Sequence, residues 1–289
     1  MDWQQRASSR GQPRRFLFLF SDTGGGHRAS SKAVKDELTR LHGGGVAVEM
    51  IDVFVEMDRW PFDRLPDWYP IFVGLNGIPW GVGYHLSDGA HLVRAMSKLT
   101  WPYTRTALCS VLRQHPADVI VSFHPVPNYA LFLALQRLGW RTPVAIVAVD
   151  LVTAHAGWFV PQADVTLVPT HAAKARAMRW GVDQARIKVT GMPTRRSFLG
   201  AMNLAKAQAR DQLHLPADRP VVLIVGGGEG MGPMASVVRA LARQRPKAHV
   251  VVITGRNQDL YQELRAADLP IPLQIEGFVS NMEVWMRAA

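Results

Sequence analysis

Two hydrophobic patterns alternate along the chain. Short apolar runs at 15–20, 46–53, 118–122, 144–149, 165–169 and 187–190 have strand length, and between them apolar positions recur at helical spacing. In the first helical stretch, 29–41, Ala29, Ala33, Val34, Leu38 and Leu41 share one face, and a later one follows Thr170 to about Trp180. The strand runs are apolar throughout rather than alternating, as parallel strands covered on both faces require. This series closes at the sharp Gly191-Met192-Pro193. A second series then begins, with strands at 221–225, 249–254 and 273–276, helices to about Gln244 and near 259–266, and a short amphipathic stretch at 281–289.

Two successive βα series predict an α/β protein of two Rossmann-like doubly wound domains facing a cleft. The expected division is a basic flexible tail at 1–14, an N-terminal domain at 15–193, a connector at 194–219 and a C-terminal domain at 220–289. With three strands against about six in the first, the second domain is expected to be incomplete. The segment 54–101 breaks the alternation and gathers Phe54, Trp60, Phe62, Trp68, Tyr69, Phe72, Trp80, Tyr84 and Trp101 among prolines and glycines. Aromatic rings with polar tips suit a water–lipid boundary, and they suit equally an aromatic-rich core insertion.

Charge narrows the partners. The formal net charge of +10 favours an anionic surface, a phosphorylated substrate or nucleic acid, but the basic residues are dispersed and no nucleic-acid-binding module is present. The lone Cys109 cannot form an intramolecular disulfide, which suits a reducing compartment. The longest apolar runs fall far short of the roughly 18 to 20 residues needed to span a bilayer. The first fifteen residues carry Arg6, Arg10, Arg14 and Arg15 but no apolar signal core. The expected location is therefore cytoplasmic, with any membrane contact peripheral.

Three clusters carry candidate chemistry. The first strand runs into Ser21-Asp22-Thr23-Gly24-Gly25-Gly26-His27-Arg28-Ala29, where glycine amides and a helix N-terminus can bind an anion through Gly25 and Gly26. His27 stands at the helix start as a candidate general base. The second cluster, Gly226-Gly227-Gly228-Glu229-Gly230-Met231-Gly232, again joins a strand to a helix and is a second anion cradle. It lacks the Lys-Ser/Thr pair of a P-loop and does not fit the dinucleotide fingerprint, whereas Gly24, Gly26 and Ala29 with Asp52 fit that fingerprint loosely. The third cluster comprises His124, Asn128, Asp150, His155 and Trp158 at the C-terminal ends of the middle strands, the edge where open α/β sheets bind ligands. There Asp150 can accept from an acceptor hydroxyl, His124 and His155 can orient it, and Trp158 can pack on a glyceryl or sugar face. The bland reading makes Asp150 a turn cap and the histidines satisfied loop residues. The histidines are too scattered for metal spacing, and no metal site is expected.

The ordered set of Ser21-Asp22-Thr23-Gly24-Gly25-Gly26-His27-Arg28-Ala29-Ser30, Asp150-Leu151-Val152-Thr153-Ala154-His155 with Trp158-Phe159, Thr190-Gly191-Met192-Pro193 and Gly226-Gly227-Gly228-Glu229-Gly230-Met231-Gly232-Pro233 resembles the signatures of the monogalactosyldiacylglycerol synthases and the related diacylglycerol glucosyltransferases. The resemblance runs from about Arg15 to Ala289. It implies the GT-B fold and an inverting transfer of galactose or glucose from UDP-galactose or UDP-glucose to diacylglycerol, without a cofactor or a catalytic metal. It implies His27 as the base, the first domain as the diacylglycerol binder and the second as the nucleotide-sugar binder, at the inner face of the cell membrane. Two departures stand out: Ala156-Gly157 replaces a proline expected after the histidine, and the turns that hold UDP and its sugar do not follow Gly277-Phe278-Val279. Residues 1–289 alone are therefore expected to transfer sugar poorly. The rivals are a transferase for another lipid carrier such as a peptidoglycan precursor, a nicotinamide-dependent oxidoreductase and a catalytically silent lipid-binding module.

Overall fold

The computed structural model describes residues 12–23, 25–68 and 78–289, the side chains of 78–80 excepted. The chain divides into two compact units, the first built from residues up to Asp67 and from Gly81–Thr194, the second chiefly from Arg195–Ala289.

The first unit is a six-stranded sheet in the order β2-β1-β3-β4-β5-β6. Its strands are β1 (Arg14–Phe20), β2 (Val46–Asp52), β3 (Val119–Ser122), β4 (Val144–Val147), β5 (Val165–Val168) and β6 (Ile187–Val189), and all neighbours are parallel. The helices are α1 (Gly26–His42), α2 (Val53–Met57), α3 (Ile78–Ser87), α4 (Ala90–Gln114), α5 (Asn128–Leu138) and α6 (His171–Arg179). Strand β1 shows why the apolar runs are continuous. Leu17 and Leu19 enter a core with Leu108, Leu112 and Leu131, while Phe18 and Phe20 pack with Val121, Phe123 and the Val34 and Leu38 side of α1. Because β1 pairs with β2 on one side and β3 on the other, the chain reverses its winding direction between β1 and β3. The loops after these two strands therefore lie side by side at the C-terminal edge of the sheet, the edge at which open α/β sheets bind ligands, and Thr23 and His124 are hydrogen-bonded across them at 3.0 Å.

The second unit is a three-stranded parallel sheet, β7 (Val221–Val225), β8 (His249–Ile253) and β9 (Leu273–Glu276), in that order. Helices α7 (Arg196–Met202), α8 (Lys206–Gln212), α9 (Met234–Arg243), α10 (Gln258–Ala266) and α11 (Met282–Ala288) accompany it. Central β8 serves two cores: Val250 and Val252 pack with Val238 and Leu264, whereas Val251 and Ile253 pack with Leu213 and Trp285.

Helices α2, α3, α4 and α5 have no counterpart in the sequence reading. Helix α5 is apolar on most sides because it is largely buried, so it carries no stripe to read. Helix α4 runs 25 residues through Pro102, a residue that ordinarily ends a helix, and Thr100 and Thr104 return their hydroxyls to Met96 and Thr100 carbonyls. The aromatic segment divides between its two readings: Phe54 is buried, Phe62 and Trp101 pack on the core, and Trp60 is exposed. Tyr69, Phe72 and the Trp80 side chain lie outside the described residues. Among the described residues no helix is long and apolar enough to cross a membrane.

Arg210 of α8 ties the second unit together. Its buried guanidinium donates to the carbonyls of Ala288 (2.9 Å), Arg219 (3.2 Å), Pro216 and Ala217 (both 3.3 Å). Arg210→Met leaves these acceptors unpaired and is expected to destabilise the second unit by about 2 kcal/mol or more. Hydrogen exchange should show lost amide protection in α11, with the strands of the first unit unchanged.

Candidate active site

His27 sits at the reversal between β1 and β3, one residue into α1. Gly25 caps that helix in the left-handed conformation (φ 75°), its carbonyl accepting from the Ala29 amide at 3.0 Å. A Cβ built on Gly25 or Gly26 would meet no atom within 4 Å, so the helix start is open to a ligand's approach. No acidic side chain occupies the first turn, and Arg28 lies against it, bound through Nε and Nη2 to the two carboxylate oxygens of Asp22. The helix dipole therefore points its positive end into open space. Gly24 is outside the described residues.

The imidazole of His27 packs 4.7 Å from the His124 ring and 5.8 Å from Trp158, centroid to centroid. Burial lowers its pKa below 6.5, opposed by the negative charge of Asp150 and by the backbone of Phe123. His27 Nδ1 is buried without a hydrogen-bond partner, while the residue as a whole is half-buried.

His124 is buried beneath it, flanked by Phe54 edge-on. Its Nδ1 accepts from the Val126 amide at 3.4 Å, which leaves Nε2–H to donate to Thr23 Oγ1 at 3.0 Å. Desolvation, then the proximity of His27, holds this ring well below 6.5, so it is neutral. His155 is fixed in the same tautomer. Nδ1 accepts from Gly157 N (3.1 Å), and Nε2–H donates to Ser87 Oγ (3.2 Å), whose own proton goes to the Gly83 carbonyl (2.6 Å). Burial again lowers its pKa, against Asp88 and Asp150.

Three placements revise the expected acceptor contacts. Trp158 is fully buried, its indole Nε1 donating to Asp150 at 2.8 Å, so it offers no free face to a glyceryl or sugar group. It orients the carboxylate instead. Asn128 is also fully buried, and its amide nitrogen donates to the Gly157 carbonyl at 3.0 Å, holding the 155–158 turn rather than facing solvent. His155 has both ring nitrogens engaged, which makes it a wall of the site.

Sequence reasoning missed the support under this turn. Asp88 accepts the Ala156 amide (2.8 Å) and pairs with Arg176, whose Nε donates to the Ala154 carbonyl at 2.5 Å. Tyr84 donates to the Thr153 carbonyl, and its hydroxyl pKa is pushed up to about 12, chiefly by burial and then by Asp150 and Asp88. The visible signal was Ser87-Asp88-Gly89 ahead of a helix, but nothing in the spacing pairs Asp88 with residue 176.

Asp52, the acid of the loose dinucleotide fingerprint, is fully engaged. One oxygen caps α2 through Phe54 N (3.1 Å) and Val55 N (3.4 Å), and the other accepts the Asp22 amide (2.8 Å). It is not free to take a ribose diol, so the nicotinamide reading loses its key contact.

In the second unit the glycine run folds tightly on itself. A Cβ on Gly230 (φ 60°) would overlap the Thr254 carbonyl, and one on Gly226 the Met234 sulfur. The Met231 amide donates to Gly226 O (2.7 Å) and the Gly230 amide to Gly227 O (3.3 Å), so both are occupied within the turn. Among the described residues the amides of Gly227, Gly228, Glu229 and Gly232 meet no acceptor, which narrows the expected cradle to those four. The Glu229 carboxylate is paired with Arg256, whose guanidinium lies 4.7 Å above Phe278. That pairing offsets a charge that would otherwise repel phosphate. Among the described residues no cluster of three metal-ligating side chains occurs.

Comparison with known proteins places this architecture. Over 96% of the chain it superposes on Acinetobacter baumannii MurG (16% identity, 71% of that chain, TM-score 0.52). Over 94% it matches a Neisseria meningitidis UDP-GlcNAc 2-epimerase bound to UDP-GlcNAc (13% identity, 75% of that chain, TM-score 0.53). The fold class is GT-B, which by itself leaves the chemistry open. Residues 27–194 match the monogalactosyldiacylglycerol (MGDG) synthase family, and the chain belongs to that family. A probable monogalactosyldiacylglycerol synthase of Glycine max is 32% identical over 286 residues, 96% of this chain and 54% of its own length. A second, from Oryza sativa subsp. japonica, is 35% identical over 283 residues, 94% of this chain and 60% of its own. The chain thus spans a little over half the length of these relatives.

The imidazole cluster predicts an acid-sensitive fold. A histidine whose pKa is lower folded than unfolded stabilises the protein fully only above the unfolded value, and that contribution is lost as pH falls. His27, His124 and His155 all act in this direction below 6.5. His115 acts oppositely: burial lowers its pKa, but hydrogen bonds and charge from Glu49 and Glu56 outweigh this and raise it. Its contribution is complete below 6.5 and does not offset the further fall. The urea midpoint should drop from pH 6.5 to about 5, and more shallowly in His124→Gln. An unchanged midpoint would contradict the buried neutral cluster.

Proposed function

We propose that this chain carries the acceptor site and the donor-phosphate cradle of an inverting hexosyltransferase that moves galactose or glucose from a UDP-sugar to the free hydroxyl of diacylglycerol. Family membership supports the acceptor class, and the observation that carries the mechanism is His27. It is a neutral imidazole at the open start of α1, backed by His124 and Trp158, with Asp150 close enough to influence its charge. Because Nδ1 is buried, the acceptor proton is taken at Nε2. As the acceptor O–H bond breaks, its oxygen attacks the anomeric carbon from the face opposite UDP. The bond from that carbon to the β-phosphate oxygen breaks with its electron pair, and UDP departs. The imidazolium formed is stabilised by Asp150, whose orientation is fixed by the Trp158 hydrogen bond. The amides of Gly227, Gly228, Glu229 and Gly232 would receive phosphate oxygens. UDP-sugar is a co-substrate, and the proposal needs neither cofactor nor metal.

In the full-length protein, His27→Ala should lower hexose transfer by about two to four orders of magnitude, the usual worth of a general base. The acid limb of the wild-type profile should lie below 6.5, because burial lowers the His27 pKa. Transfer from UDP-[14C]galactose or UDP-[14C]glucose to dioleoylglycerol reads both, and near-wild-type turnover in the variant would remove His27 from the mechanism.

The same reading places the protein peripherally on the cytoplasmic face of an anionic membrane. Each Lys or Arg near such a surface strengthens attachment by on the order of 1 kcal/mol, and salt screens it. Flotation with vesicles should therefore require anionic lipid and weaken as salt rises, whereas equal binding to neutral vesicles at all ionic strengths would contradict the electrostatic part.

A further inference from the structure

Beside the imidazole cluster lies a cavity of about 180 Å³ with an apolar wall built by α2, α4, α5 and the 125–127 turn. Phe54, Met57, Val93, Leu108 and Ala130 line it, and at one end it meets His155 and Gly157. The polar groups on that wall are mostly satisfied elsewhere. Thr100 and Thr104 donate to Met96 and Thr100 carbonyls, Ser87 donates to the Gly83 carbonyl, and both His155 nitrogens are engaged. A polar ligand entering here would lose its water and gain little in return, whereas an alkyl chain loses nothing.

The other end reaches the surface. Met96 lines the cavity yet is 49% exposed, and it belongs to a row on α4, Leu92, Met96, Leu99 and Tyr103, spaced four, three and four residues apart. All four are exposed, Leu99 to 81%. A helix face of this kind is apolar where solvent would favour polar residues. The cavity therefore joins an exposed apolar row to a wall of the candidate active site.

We propose that this cavity holds the end of one acyl chain of the lipid acceptor, entering from the Met96 side, and so fixes the glycerol hydroxyl toward His27. The assignment rests on the acceptor reading above and specifies how that acceptor is held. An apolar cavity of about 150 Å³ accommodates benzene, so this one takes about seven carbons. Affinity then follows chain length, about fourfold per methylene until the cavity is full, and grows little beyond it.

Met57 and Met96 both line the cavity and report on it directly. With 13C-methyl methionine labelling, titration with dihexanoylglycerol should shift these two resonances and leave those of Met178 and Met202 in place. Glycerol alone should shift neither. Ala130→Phe and Ser97→Leu, which fill the space from two different helices, should each weaken the response at least tenfold; unchanged Met178 and Met202 signals verify that the variant is folded. Unmoved Met57 and Met96 signals, an equal response to glycerol, or full binding in both folded variants would overturn the assignment. A methionine response with no hexose transfer to any diacylglycerol by the full-length protein supports the cavity and counts against the transfer reaction, whereas transfer without that response removes the cavity alone.

Discussion

Three imidazoles stand at the C-terminal edge of the six-stranded sheet, and burial there lowers the pKa of each, so that the uncharged ring is favoured, while the half-buried Asp150 carboxylate acts against this at His27 and His155. Two of them, His124 and His155, are locked as the same tautomer by backbone amides at Nδ1 and hydroxyls at Nε2. His27 lacks such a lock and packs against His124, whose own pKa the contact helps to depress. A proton on His27 is therefore opposed by desolvation and favoured by Asp150. That balance is what a group needs if it is to be neutral at rest and briefly charged in a reaction.

The position of this cluster follows from strand order. A run of apolar residues long enough for a strand, followed by glycines and a helix, is visible in any reading of the sequence, and so both glycine-rich junctions and His27 were legible. Which strands lie next to β1 is not local information. Only the order β2-β1-β3 brings the loop after Ser122 beside the loop after Phe20 and sets His124 against His27. The roles of Trp158 and Asn128 were misread for the same reason. A tryptophan beside a turn reads as an exposed platform until the fold shows that its indole is buried and hydrogen-bonded to Asp150. The Asp88–Arg176 pair, across 88 residues of sequence, could not be read at all.

The two anion-binding junctions differ in how rigidly they are built. At Gly25 and Gly26 the glycines border open space, and their lack of a side chain leaves room for a ligand. At Gly226 and Gly230 the glycines are needed by the protein itself, because carbonyls and the Met234 sulfur stand where a Cβ would be. The second turn is thus pre-shaped, with Gly255 packed against the Gly227 and Gly228 carbonyls and the Arg256 amide donating to Gly228 O at 2.9 Å. Such a turn presents its remaining amides without reorganisation, which is the condition for stabilising charge as it develops on a leaving group.

Everything proposed for the chemistry depends on the charge state of one ring, and imidazole 15N shifts measured against pH report that state and its tautomer. The account predicts that His27 is neutral at pH 7, titrates below 6.5 and titrates lower still in Asp150→Asn, because the Asp150 charge raises its pKa. A His27 that is protonated at neutral pH, or one whose titration ignores Asp150, would contradict it.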